Sequence, residues 1–209
     1  FLRQEPVYRT TAFAMDTFIE VTLYGRRARE AAEDLLGRFR RLEEAISLYR
    51  PGSEVASLNR RAGSGEWTPL SPDTYMLLER AKEFSLRSEK TFDLAIAPLS
   101  TLWGVTGENP HIPRGEEIAQ ALELVDAGSL TLDEAAQSAR LEKAGQGVDL
   151  GGSAKGYAAG FIFDVMDEYE IRNGLVSLGG NVAVRGRRPD TGQAFRIGIR
   201  SPRGALGEY

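Results

Sequence analysis

Helix-like and strand-like patterns follow one another along this chain at irregular intervals, and that irregularity narrows the fold more than any other feature. Residues 27–48 place Ala31, Leu35, Phe39, Leu42 and Ile46 three to four positions apart with charged residues on the opposite face, which predicts a long amphipathic helix. Residues 18–24 instead alternate Ile19, Val21 and Leu23 with Glu20 and Thr22, the period of a half-buried strand, and Gly25 ends the run. Pro51-Gly52 breaks the helical pattern, and the polar, Gly-rich stretch 60–69 reads as loop. A second helix is predicted over 73–88. Ser71 offers a hydroxyl to a free helix N–H, Pro72 suits the first helical position, and Leu77, Leu78, Ala81 and Phe84 share a face. A short helix over 116–125, weak strands at 130–132 and 139–141, and a long helix over 153–169 follow. Short alternating runs at 175–178, 182–184 and 195–199, separated by turn residues, read as antiparallel hairpins. No regular βαβ rhythm runs through these elements, so an α+β fold on a largely antiparallel sheet is expected in place of a doubly wound parallel one. Nothing forces a domain cut, and residues 1–209 read as a single domain.

Composition removes several classes of function. The 26 Lys and Arg against 30 Asp and Glu give a net charge of -4, and no basic cluster tracks a phosphate backbone, so nucleic acid is not an expected partner. The absence of Cys excludes disulfides, thiolate metal sites and cysteine nucleophiles, and leaves the redox compartment open. No apolar run reaches membrane-span length. The start, Phe1-Leu2-Arg3, has neither an initiator Met nor a signal pattern, and reads as trimmed of a leader or anchor. The one histidine, His111, lies between prolines in a loop-like stretch with no partner for a metal pair or triad nearby, and is assigned no role.

The segment with most chemical content is Val148-Asp149-Leu150-Gly151-Gly152-Ser153-Ala154-Lys155-Gly156-Tyr157. A carboxylate, two glycines and a lysine opening a helix suit an anion. Glycines let the backbone approach a ligand, the first helix N–H groups carry partial positive charge, and Lys155 adds a full one. The ordinary alternative is a Gly-rich turn before a helix with a surface lysine. The spacing is that of neither a P-loop nor the dinucleotide fingerprint.

This segment resembles the DLGGIAKGYA stretch of the FAD:protein FMN transferases, the ApbE family, with Ser153 the one difference. Four further stretches fall in that family's order: Met15-Asp16-Thr17; the run from Ser47 through Tyr49, Arg50-Pro51-Gly52-Ser53-Glu54 with Leu58-Asn59; Thr91-Phe92-Asp93 with Pro98-Leu99 and Leu102-Trp103-Gly104; and Leu178-Gly179-Gly180-Asn181. Asp16 stands where the family usually has Gly. The resemblance implies an α+β fold related to the T-fold. It implies that Met15 touches the flavin or adenine, that Tyr49 stacks, and that Thr91, Phe92 and Asp93 line the pocket. Asp149 and Lys155 would hold the cofactor, and the backbone carbonyls of Gly152 and Ala154 would face Mg²⁺. Read without the family, Met15, Phe92 and Trp103 are core residues, Tyr49 ends a helix, Asp93 is a turn residue and Gly179-Gly180-Asn181 is a type I′-like hairpin turn.

The implied reaction moves the FMN half of FAD onto a threonine hydroxyl of an acceptor protein, releases AMP and needs Mg²⁺; no residue is singled out as general base. Hydrolysis of FAD to FMN and AMP, or a flavin-binding carrier without chemistry, are the alternatives. The family's later HxxDPxTG-like stretch and Asp-containing metal segment do not occur before Tyr209. On that basis the domain is expected to be truncated at its C-terminal side, inactive as given, and without the strands that would pair with 195–199. An extracytoplasmic location, with a lipid anchor ahead of Phe1, is likewise implied by resemblance only.

Overall fold

A computed structural model of the chain describes residues 5–89, 91–104, 110–199 and 201–203. Its elements run β1 (Val7–Ala14), β2 (Thr17–Tyr24), α1 (Ala28–Ile46), α2 (Glu54–Arg60), β3 (Thr68–Pro69), α3 (Pro72–Arg87), α4 (Ala97–Trp103) and α5 (Gly115–Leu122). After a 3-10 turn, Ala127–Ser129, come β4 (Leu130–Asp133), β5 (Ser138–Leu141), α6 (Gly151–Glu168), β6 (Asn173–Leu178) and β7 (Asn181–Arg185). They form two compact units, one of residues 1–39 with 158–209, the other of residues 40–157.

The first unit carries a four-stranded antiparallel sheet in the order β1-β2-β6-β7. Its buried face is the alternating set read from the sequence: Ile19, Val21 and Leu23 of β2 with Val176 and Leu178 of β6. Leu35 and Phe39 of α1 and Ile162, Val165 and Met166 of α6 are buried in the same unit. Gly174 shows how close that packing is, since a Cβ there would lie 2.6 Å from Leu23 Cδ2 and 3.1 Å from Met166 Cε. Arg38 of α1 is hydrogen-bonded to Asp34 at 2.9 Å and, through both guanidinium nitrogens, to the Glu168 carboxylate. Both hairpins use two-residue turns. Met15 and Asp16 at φ 53 and 57, and Gly179 and Gly180 at φ 58 and 99, have the double positive φ of type I′ geometry.

In the second unit a small antiparallel sheet, β3-β5-β4, stands with α2 to α5 and the opening of α6. Its core includes Val55, Leu58, Leu77, Leu78, Leu94, Leu130, Leu141 and Leu150.

Three expectations are corrected. Ser71 does begin α3 ahead of Pro72, but its hydroxyl caps no N–H; it donates to Glu54 Oε2 and faces the Thr74 hydroxyl, each at 3.0 Å, so side chains and not a helix N–H are its partners. Residues 195–199 form no strand, since no strand among the described residues supplies a ladder and alternation alone cannot make one. Gly151 and Gly152 belong to the first turn of α6, two residues earlier than the apolar periodicity indicated.

Candidate functional site

The opening of α6 is built from three sets of hydrogen bonds. Asp149 N–H donates to the Leu94 carbonyl at 2.8 Å, which fixes the approach. The Leu150 carbonyl then accepts from Ser153 N–H at 3.0 Å and Ala154 N–H at 2.8 Å, and Asp149 Oδ1 accepts from Gly151 N–H at 2.9 Å. An 18-residue helix thus starts with a carboxylate at its positive end. Lys155, half-buried at the start of the second turn, has no hydrogen-bond or ion-pair partner among the described residues. Gly152 and Ala154 lie within the helix, so their carbonyls run along its axis; each keeps a second lone pair for another ligand.

Beside this opening lies a cleft of about 370 Å³ between the α6 start and α3, lined by Leu77, Ala81, Phe84, Phe92, Gly152 and Tyr157 among others. Phe92 crosses the glycine face of α6, and a Cβ on Gly152 would stand 3.2 Å from its Cε2. The Phe84 and Phe92 rings meet edge to face with centroids 5.4 Å apart. Tyr157 donates its hydroxyl to Asp73 at 3.0 Å, and the Arg80 guanidinium lies 5.8 Å from the centre of its ring. The cleft therefore offers aromatic faces and a cation next to a helix N-terminus.

The structure distributes the residues singled out in the sequence unevenly. Phe92 and Gly152 line the cleft, and Asp149, Ala154 and Lys155 stand at the α6 opening just beside it. Thr91 is exposed, its hydroxyl donating to Ser88 O at 2.6 Å. Asp93 is a loop clamp: its two carboxylate oxygens accept from Ala95 N–H at 2.8 Å and Ala127 N–H at 3.1 Å. Tyr49, 60% exposed on the loop after α1, does not line the cleft, and Met15, 7% exposed, belongs to the hairpin turn of the first unit. Among the described residues no group of three or more His, Asp or Glu is placed to hold a metal, and no helix is long and apolar enough to cross a membrane. Arg80, Phe84 and Tyr157 had not been singled out as site residues. Phe84 falls on the apolar face of α3 and yet is 60% exposed, and that exposure is what marks the cleft.

In fold, the chain is an α+β protein of the ApbE type. The ApbE protein of Thermotoga maritima matches it with a TM-score of 0.85 at 29% identity, covering 95% of this chain and 65% of that one. The apo form of the flavinyl transferase ApbE of Pseudomonas stutzeri matches with a TM-score of 0.84 at 26% identity, covering 94% and 66%. The ApbE family profile matches residues 15–209, and the chain belongs to the ApbE family. Among curated relatives, the FAD:protein FMN transferase of Klebsiella pneumoniae (strain 342) is 30% identical over 196 residues, and that of Treponema pallidum (strain Nichols) 28% identical over 213. In both comparisons the match covers 94% of this chain and 59% of the relative, so the chain spans well under two thirds of their length.

Proposed function

We propose that this chain binds FAD and serves in the transfer of its FMN half to a threonine of an acceptor protein. The observation that carries this reading is Lys155, a half-buried lysine without a partner among the described residues, one turn into α6 in a chain of the ApbE family. In the step envisaged, the threonine oxygen attacks the FMN phosphorus, the P–O bond to AMP breaks, AMP leaves and the hydroxyl proton is released. Negative charge gathers on the phosphate oxygens, which the α6 N-terminus and Lys155 would stabilise electrostatically. The aromatic cleft beside them suits a ring system next to those phosphates.

Mg²⁺ takes hard oxygen ligands and usually one or two carboxylates beside substrate phosphates and water. Asp149, whose Oδ2 has no partner among the described residues, and the Gly152 and Ala154 carbonyls fit such a cation as partial ligands and would hold it against the cofactor. The metal would add positive charge at the phosphates. Placement outside the cytoplasmic membrane forms part of the same proposal and rests on the family resemblance.

The test uses the protein of the complete gene with FAD, Mg²⁺ and a threonine-bearing acceptor peptide. The expected result is AMP release together with a peptide mass increase matching esterified FMN. AMP with free FMN would indicate hydrolysis instead, and tight FAD binding with neither product would leave a carrier.

A further inference from the structure

We infer that Asn59 is a positioning residue of the α6 site, its carboxamide standing in for a missing neighbouring strand and fixing where the helix begins; the role in FAD binding rests on the flavin reading above. Residues 147–149, which lead into α6, are held from two sides. On one side Ala97 N–H donates to Gly147 O at 3.3 Å and Asp149 N–H donates to Leu94 O at 2.8 Å. In an extended chain the backbone groups of successive residues point to opposite sides, so those of Val148 face the other way. There, at the end of α2, Asn59 Nδ2 donates to Val148 O at 3.0 Å and Val148 N–H donates to Asn59 Oδ1 at 2.8 Å. One carboxamide thus completes the hydrogen bonding of a fully buried residue, for which no strand is present on that side among the described residues.

The fit is specific. Gly147 lets Asn59 come in, because a Cβ there would lie 3.0 Å from Ala97 Cβ and 3.3 Å from Asn59 Cγ and Nδ2. Asn supplies one donor and one acceptor on a short stem. Ala supplies neither, and an ionised Asp has no donor and sets a second negative oxygen against the Val148 carbonyl. Downstream, the register held at Val148 sets Asp149, which accepts from Gly151 N–H, and Leu150, which accepts from Ser153 and Ala154. A slip of one residue would turn the first turn of α6 by about 100° and carry Lys155 away from its direction.

The experiment compares wild type, Asn59→Ala, Asn59→Asp and Leu130→Ala, the last a buried leucine of β4 outside the site that serves as a control for lost stability. Two readouts are taken well below the melting temperatures: amide hydrogen exchange of residues 147–156 without ligand, and FAD affinity by flavin fluorescence. Both Asn59 variants should show exchange in 147–156 faster by on the order of tenfold, and FAD binding weaker by on the order of tenfold. Leu130→Ala should keep its FAD affinity within about twofold despite a lowered melting temperature. A protonated Asp has the donor and acceptor of Asn, so Asn59→Asp should regain affinity relative to wild type as pH falls through the carboxylate range, whereas Asn59→Ala should not. If Asn59→Ala does not fold, this pH rescue in Asn59→Asp decides alone. Unchanged exchange in 147–156, or affinity lost equally in Leu130→Ala, would overturn the inference. Failure of wild type to bind FAD would sink the flavin reading, and the exchange measurement would still decide whether Asn59 sets the helix opening.

Discussion

At the scale of single residues, the position that departs from the family pattern has a backbone explanation. Asp16 sits at φ 57 in the turn between β1 and β2, a left-handed conformation that Gly adopts freely and that Asp tolerates better than most other side chains. The turn therefore accepts Asp at this position without a prohibitive backbone strain. Asp16→Gly should leave stability within about 0.5 kcal/mol, whereas the β-branched Asp16→Val should cost about 1–2 kcal/mol in urea unfolding. Equal effects of the two would mean that side-chain contacts and not φ govern the position. Lys155 makes the complementary case, because nothing among the described residues uses its charge. A charge-assisted hydrogen bond to a phosphate in a partly desolvated site is worth about 1.5–3 kcal/mol, so Lys155→Ala should weaken FAD on the order of tenfold to a hundredfold. Unaltered affinity in a fluorescence titration would remove Lys155 from the site.

Elements differ in how far the sequence betrays them. The faces of α1, α3 and α6 repeat over several turns and were legible, as was the inward set of β2. Helices α2 and α4 have seven residues each, too few for a stripe to repeat, and β3 has two. Strand β1 carries no buried alternation, since its burial runs between exposed and half-exposed up to Ala14; it exists because β2 offers an edge and the Met15-Asp16 turn delivers it there. At the candidate site, Asp149, Gly152, Lys155 and Phe92 stand out through local motifs, whereas Arg80 and Tyr157 meet only when α3 packs beside α6. The α2 cap was local and could have been read. Ser53, 3% exposed, accepts from Ala56 N–H at 2.9 Å and donates to Ser47 O at 2.5 Å, while Ser47 Oγ accepts from the amides of Tyr49 and Arg50. Ser53→Ala should therefore cost about 1–2 kcal/mol and loosen the loop bearing Tyr49. Ser53→Asp would keep the cap but lose the donor, so it should not restore wild-type stability in thermal melts; full restoration would show that the cap alone matters.

For the whole molecule, the question is what sets its response to acid. Three exposed carboxylates are held below their usual range, each chiefly by a hydrogen bond from an arginine: Asp167 by Arg185, Asp190 by Arg188 and Glu117 by Arg114. For a depressed carboxylate the sign is fixed. Its contribution is present above the unfolded pKa, near 4, and is lost as pH falls through the lower folded value. Solvent-exposed pairs are individually weak and screened by salt, so with a net charge of only -4 the melting temperature should change little with salt at pH 7. Below about pH 4 the 26 Lys and Arg are left largely unopposed, and repulsion among them should make added salt stabilising. Arg185 allows the two effects to be separated. It binds Asp167 of α6 through both guanidinium nitrogens and also lies 5.4 Å from the centre of the Phe163 ring, so it joins β7 to α6 by charge and by stacking. Arg185→Gln removes the charge. If the ion pair is what matters, the melting temperature of this variant should fall below wild type at pH 7, and the gap should close as pH falls through the lowered folded value of Asp167, below which its carboxyl is protonated in both proteins. A gap of constant size across that range would assign the joint to the stacked contact with Phe163, because a contact with an aromatic ring does not titrate there.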